Sequence, residues 1–250
     1  VEPTSTSTTT DSTVSSGSTG PVGPCAECGV TRLALPSYGF YACAIAGAGE
    51  FLCWGEGAGR FIGIGEQNIG DSPGELPLPA VALDRPIVEL AAGEDHLCAR
   101  LDDGTVRCWG DGTYGQLGLG LPEPLQFQSK DMPPVDIGGT AVQIVAGRRH
   151  SCVLLDSGVA RCWGSGENGR LGHGDTESLG DQPGEMPPPD IALGGPAIRL
   201  AAGFSHTCAL LATGIVRCWG AGGQGAHGQG TQEDIGDQPG EMPPAALGIA

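Results

Sequence analysis

One motif, written four times, restricts this chain more than any other feature: two cysteines ten residues apart, the second followed by Trp-Gly. The clearest copy ends in AAGFSHTCALLATGIVRCWG at Gly220. VELAAGEDHLCARLDDGTVRCWG ends at Gly110, VQIVAGRRHSCVLLDSGVARCWG at Gly164, and the looser TRLALPSYGFYACAIAGAGEFLCWG at Gly55. Trp54, Trp109, Trp163 and Trp219 are spaced by 55, 54 and 56 residues. A fixed period of this order belongs to propellers, solenoids or arrays.

Within one copy, Ala212-Thr213-Gly214 is a three-residue loop with Gly last, the loop of a β-hairpin whose final residue is left-handed. Folding there places Leu210 against Val216 and Cys208 against Cys218. Opposed residues on antiparallel strands have Cβ atoms ~4.5–5.5 Å apart, within reach of a disulfide for the closer kind of pair. Cys43/Cys53, Cys98/Cys108 and Cys152/Cys162 repeat the spacing, and Gly49, Gly104 and Gly158 repeat the turn. Each Trp follows its Cys, so it points to the other face of its strand. A sheet with bulk on both faces must be covered on both, and stacked sheets provide that cover.

The 45 Gly and 20 Pro disfavour long helices. Short strands between Gly/Pro turns read as an all-β chain. No run approaches the ~20 apolar residues of a membrane-spanning helix. The ten cysteines at regular spacings point to an oxidising compartment. A net charge of −17, with Lys130 the only Lys, excludes a phosphate backbone as the natural partner and disfavours anionic membranes.

Two regions follow. Residues 1–29 are a Ser/Thr/Gly/Pro-rich spacer that cannot bury enough apolar surface to order itself, and they carry Cys25-Ala-Glu-Cys28. A redox CxxC would open a helix after a strand, and a zinc site would need two more ligands. Neither context is present, so a local disulfide is expected. Beginning on Val1, the chain reads as one that has lost a signal peptide or has been excised from a longer chain, and the spacer as an N-terminal tether. Residues 30–250 hold the repeats, at about 30–85, 86–139, 140–195 and 196–250. The first is degenerate, with Tyr41 where the others carry His96, His150 and His206, as a terminal repeat can be.

The pattern A-A-G-x-x-H-x-C-A-L-x-x-x-G-x-V-R-C-W-G-x-G-x-x-G-Q-L-G-x-G, nearest at Gly115 to Gly118, resembles the regulator of chromosome condensation repeat family. The cysteine-bearing Trp-Gly form is similar to its secreted bacterial members, notably myxobacterial ones. The resemblance implies a β-propeller, whole or partial, of about four four-stranded blades. The family usually closes with seven blades, so an arc or fragment is expected rather than a closed four-bladed ring. Its best-known member promotes nucleotide exchange on a nuclear GTPase and binds chromatin, and other bacterial relatives inhibit secreted enzymes. The acidic charge and the cysteines disfavour the first of these roles.

Candidate sites are few. His96, His150 and His206 read either as a ring of ligands or as strand-end residues bonded to a neighbouring loop, and repetition favours the second. Three loops share Gly-Asp-x-Pro-Gly-Glu, placing Asp71/Glu75, Asp181/Glu185 and Asp237/Glu241 four residues apart. Such carboxylates are weak calcium candidates, and Pro-Gly is the natural centre of a type II turn. Ser151 adjoins His150, but neighbouring strand residues point to opposite faces and cannot form a nucleophile–base pair. No phosphate loop or nucleophile elbow occurs. The expectation is a non-enzymatic, extracellular, periplasmic or cell-surface module, with no cofactor and no metal, binding a protein or surface glycan through its loops. Self-association into a surface layer or fibre is the alternative.

Overall fold

A computed structural model describes residues 29–62, 65, 67–121 and 132–248. Cys25, Cys28 and Lys130 lie outside these described residues.

Four meanders follow one another. The first contains β1 (Val30–Ala34), β2 (Tyr41–Ala46) and β3 (Glu50–Gly55). The second contains β4 (Ile87–Ala92), β5 (His96–Leu101) and β6 (Val106–Gly110). The third contains β7 (Ala141–Ala146), β8 (His150–Leu155) and β9 (Ala160–Gly164). The fourth contains β10 (Ala197–Ala202), β11 (His206–Leu211) and β12 (Val216–Gly220). Each is a three-stranded antiparallel sheet in chain order.

The hairpin register is the expected one. Cys208 pairs with Cys218 and Leu210 with Val216. Gly214 turns the chain at φ 85°. All four cysteine pairs are disulfides, with Cα atoms 4.0–4.1 Å apart. Trp109, Trp163 and Trp219 lie on the opposite face from their disulfides and are completely buried.

The implied fourth strand of each blade is corrected by the structure to a brief attachment. Val135 N donates to Val106 O at 2.8 Å, Ile191 N to Ala160 O at 3.0 Å and Leu247 N to Val216 O at 3.0 Å. In the first blade Phe51 and Val81 form an isolated bridge. The flanking sequences explain the truncation: LPLPAV, MPPPDI and MPPAAL are rich in proline, which has no N–H to give to a ladder.

The core lies between blades rather than within one. Cys43, Ile45, Phe51 and Cys53 of the first blade share a cluster with Leu97, Ala99 and Trp109 of the second. Cys98, Val106 and Cys108 of the second meet Ile144, Val153 and Trp163 of the third. Cys152, Leu154 and Cys162 of the third meet Leu200, Ala209 and Trp219 of the fourth. Every internal joint therefore presses a disulfide-bearing face onto a Trp-bearing face. Among the described residues no such joint links the fourth blade to the first, whose turns meet instead through Tyr38 and Phe204.

Candidate functional site: the strand-turn cluster

The turn between the first and second strands of each blade is short and fixed at both ends. Gly93 N donates to His96 O at 2.8 Å, Gly147 N to His150 O at 2.9 Å and Gly203 N to His206 O at 2.9 Å. The His rings fold over these glycines, where a side chain would collide with the imidazole. Successive turns are tied by main chain: Glu94 N donates to Arg148 O and Arg148 N to Phe204 O, both at 3.0 Å.

Behind the turns His96 and His150 are consumed by the scaffold. His96 Nε2 lies 3.0 Å from Ser151 Oγ, and His150 Nε2 lies 2.9 Å from Thr207 Oγ1. Each His thus reaches across a joint to the hydroxyl beside the next His. Burial holds His96 down at about 4 and His150 at about 3, so both rings are neutral at neutral pH. Burial also lowers His206, which is only partly enclosed. Tyr41 plays the same part at the first joint, its hydroxyl donating to Gly93 O at 2.8 Å or His96 O at 2.9 Å. Ser151 is therefore paired with the His of the preceding blade, not with its neighbour. It is wholly buried, and its hydroxyl lies 3.1 Å from Gln116 O, the acceptor of its proton.

The acidic loops are likewise turned inward. Glu185 Oε2 accepts from the amides of Gly180, Asp181 and Gln182 at 2.8–3.1 Å. Glu241 repeats this with Gly236, Asp237 and Gln238. Glu75 does so with Gly70 and Ser72. Desolvation raises the Asp181 and Asp237 carboxyls, with added repulsion from Glu185 and Glu241. Glu241 itself is lowered: desolvation opposes ionisation, but the loop amides outweigh it. Among the described residues no three His, Cys, Asp or Glu side chains gather as a metal centre would require.

What remains exposed at the turns is chemically distinct. The Arg148 guanidinium lies 4.7 Å from the Phe204 ring centroid and 5.6 Å from that of Tyr38. Tyr38 and Phe204 meet edge to face at 5.5 Å. Arg148 donates two bonds to Glu94, at 2.8 and 3.0 Å, and Arg149 adds a third at 3.2 Å. The hydrogen bond from Arg148, ahead of its charge and that of Arg149, holds Glu94 below the usual carboxylate range against a desolvation that opposes it. Arg149 also stacks at 4.5 Å over Tyr114. Tyr38 is 52% and Phe204 39% exposed, so both rings present surface. Sequence reasoning missed this cluster. Its signal was the variability of Gly-Glu-Asp, Gly-Arg-Arg and Gly-Phe-Ser at one fixed position in otherwise repeated segments.

Two models of the regulator of chromosome condensation (RCC1) repeat match this chain, one at residues 87–116, 141–170 and 197–229, the other at 103–154 and 161–210. Together they cover more than half of it. The chain carries RCC1 repeats. The degenerate first repeat lies outside the matched residues. The ultraviolet-B receptor UVR8 of Arabidopsis thaliana is 35% identical over 156 residues, 60% of this chain and 33% of that protein. The human E3 ubiquitin-protein ligase HERC2 is 32% identical over 182 residues, 68% of this chain and 4% of that protein. Human WBSCR16 superposes with a TM-score of 0.67 at 19% identity, over 85% of this chain and 53% of that one. Prp20p of Saccharomyces cerevisiae gives 0.64 at 20% identity, over 84% and 50%. The chain thus spans a third or less of these two curated relatives and about half of the two solved structures. The RCC1-type β-propeller fold is shared with the latter.

Proposed function

We propose that this protein is a non-enzymatic, extracytoplasmic binding module that holds a protein partner against its strand turns. The observation carrying this reading is the exposed Tyr38–Arg148–Phe204 cluster. Tyr and Arg are enriched among the residues that dominate binding energy, and rigid aromatics give up little entropy on contact. The main-chain ties between turns hold Arg148 and Phe204 on a fixed platform. His96 and His150, by contrast, are neutral and bonded into the joints, which favours a scaffold over proton-transfer chemistry.

An oxidising location is supported by the four disulfides, which thiol-reducing compartments do not sustain. The net charge of −17 favours a partner with basic surface around its contact and disfavours chromatin.

The test is a quantitative pull-down from the native cell envelope with the original chain and with Phe204→Ala and Arg148→Ala. Partners retained by the original chain and lost from both variants, with unchanged thermal stability, support the reading. Identical partners on all three, or none on any, would refute it.

A further inference from the structure

Arg148 and Arg149 hold more hydrogen-bonding capacity than their own chain uses. A guanidinium carries five N–H groups in a planar fork. Arg148 directs Nε to Glu94 Oε2 at 2.8 Å and Nη2 to Glu94 Oε1 at 3.0 Å. That contact occupies the side edge of the fork. The outer edge, made by Nη1 and the second N–H of Nη2, has no acceptor among the described residues. Arg149 directs Nε to Glu94 Oε2 and Nη1 to the Tyr114 hydroxyl, both at 3.2 Å, and its Nη2 has no acceptor among them either. Arg148 Nη1 and Arg149 Nη2 both reach solvent. Glu94 lies deeper than the two guanidiniums it joins.

Charge gives the same picture. Two guanidiniums meet one carboxylate here, so one positive charge is left over on a chain that carries −17 in all. Glu167 does not answer it, because Glu167 pairs with Arg170 at 3.0 Å. Burial lowers the Arg170 guanidinium, Glu167 opposes this, and Arg149 and Arg148 add repulsion, so three cations share one neighbourhood. Folding does not demand the pair. The second and fourth blades carry Glu94-Asp95 and Phe204-Ser205 at the same place, and the ties between turns run through main chain whatever the side chain. The pair stands on the third blade and its counter-ion on the second, so the joint that builds it is complete within the described residues.

We propose that Arg148 and Arg149 receive an Asp or Glu carboxylate of the protein partner, with an apolar residue next to that acid lying against Phe204. This rests on the reading that the strand turns bind a protein. The parallel N–H groups of a guanidinium edge match the two oxygens of a planar carboxylate. One carboxylate also balances the one uncompensated cation, whereas the second charge of a phosphate meets an acidic surround. Beyond this acid the partner surface is basic, complementary to the rest of the chain.

Titration of the full chain with the capped dipeptide Phe-Glu, followed through the Nε–H resonances of Arg148 and Arg149, tests the assignment. Capped Phe-Gln and Phe-phosphoserine are the comparison probes. Phe-Glu should give saturable shifts at both arginines that fade in high salt, and Phe-Gln should bind about tenfold more weakly or worse. Arg148→Lys and Arg149→Lys keep the charge and lose the fork, and each should weaken Phe-Glu about tenfold. Arg199→Lys, an exposed change on β10, should leave it unaltered, and thermal melting identifies any variant that misfolds. Equal binding of Phe-Gln, tighter binding of Phe-phosphoserine, no saturable shift with Phe-Glu, or full binding by both folded Lys variants would each overturn the proposal. Any of these beside turn-dependent partners in the pull-down sinks the carboxylate and spares the platform. Loss of those partners sinks the platform itself.

Discussion

Replacing Ser151 with Ala removes one oxygen from a sealed joint, and the structure sets the size of the loss. Ser151 Oγ lies 3.0 Å from His96 Nε2 and 3.1 Å from Gln116 O. The Gln116 carbonyl keeps a second donor, Trp163 Nε1 at 3.0 Å, so it stays satisfied. His96 does not: its ring is wholly buried, and Nδ1 has no partner among the described residues, which places the proton on Nε2. A stranded buried donor costs about 1–3 kcal/mol. At ~2 kcal/mol, and ~2–4 °C per kcal/mol for a chain of this size, melting should fall by about 4–8 °C. Urea unfolding under non-reducing conditions provides the free energy, and a cycle with His96→Leu isolates the pair. Coupling of about 1 kcal/mol or more is expected. Single losses below ~0.5 kcal/mol that simply add in the double variant would refute the reasoning, since unbonded neighbours behave that way.

Other expectations follow from the same joints and loops. Both His96 and His150 have folded-state values depressed below the ordinary 6.5, to about 4 and about 3. The unfolded chain therefore binds protons first as pH falls below ~6.5, and stability should drop by up to ~1.4 kcal/mol per pH unit per site until the folded values are reached. Melting curves from pH 7 down to pH 4 should show this, and His150→Gln should flatten the slope. Thr207→Val, which keeps side-chain shape but strands His150 Nε2, should cost about 1–3 kcal/mol in urea unfolding. Glu185→Ala frees three loop amides and should speed hydrogen exchange at Gly180, Asp181 and Gln182, leaving β8 and β9 protected.

The repeat made the blade legible because its determinants are local. Cys208, Gly214, Cys218 and Trp219 lie within one hairpin, and strand alternation alone sends the disulfide and the indole to opposite faces. The strand-end role of His96 and His150 was readable from repetition, but their partners were not. Ser151 and Thr207 sit 55 and 57 residues away, and only the docking of blades brings them within reach. The inward turn of Glu185 and Glu241 depends on a loop conformation that their spacing does not specify. The short outer strand was hidden by the family pattern, although Pro187, Pro188 and Pro189 carry its explanation. The turn cluster was least legible of all. Tyr38, Arg148 and Phe204 come from three repeats, and they meet only once the blades are packed.

The most direct trial of the whole account is stepwise reduction of the native chain, with alkylation and peptide mapping at each stage. The pairs should map as Cys43–Cys53, Cys98–Cys108, Cys152–Cys162 and Cys208–Cys218, and the last should open first, because Cys208 alone among these eight is half-buried rather than buried. Free thiols at these positions in the starting material, exchanged partners, or the earlier opening of a pair at an internal joint would contradict blades that cover one another's disulfides.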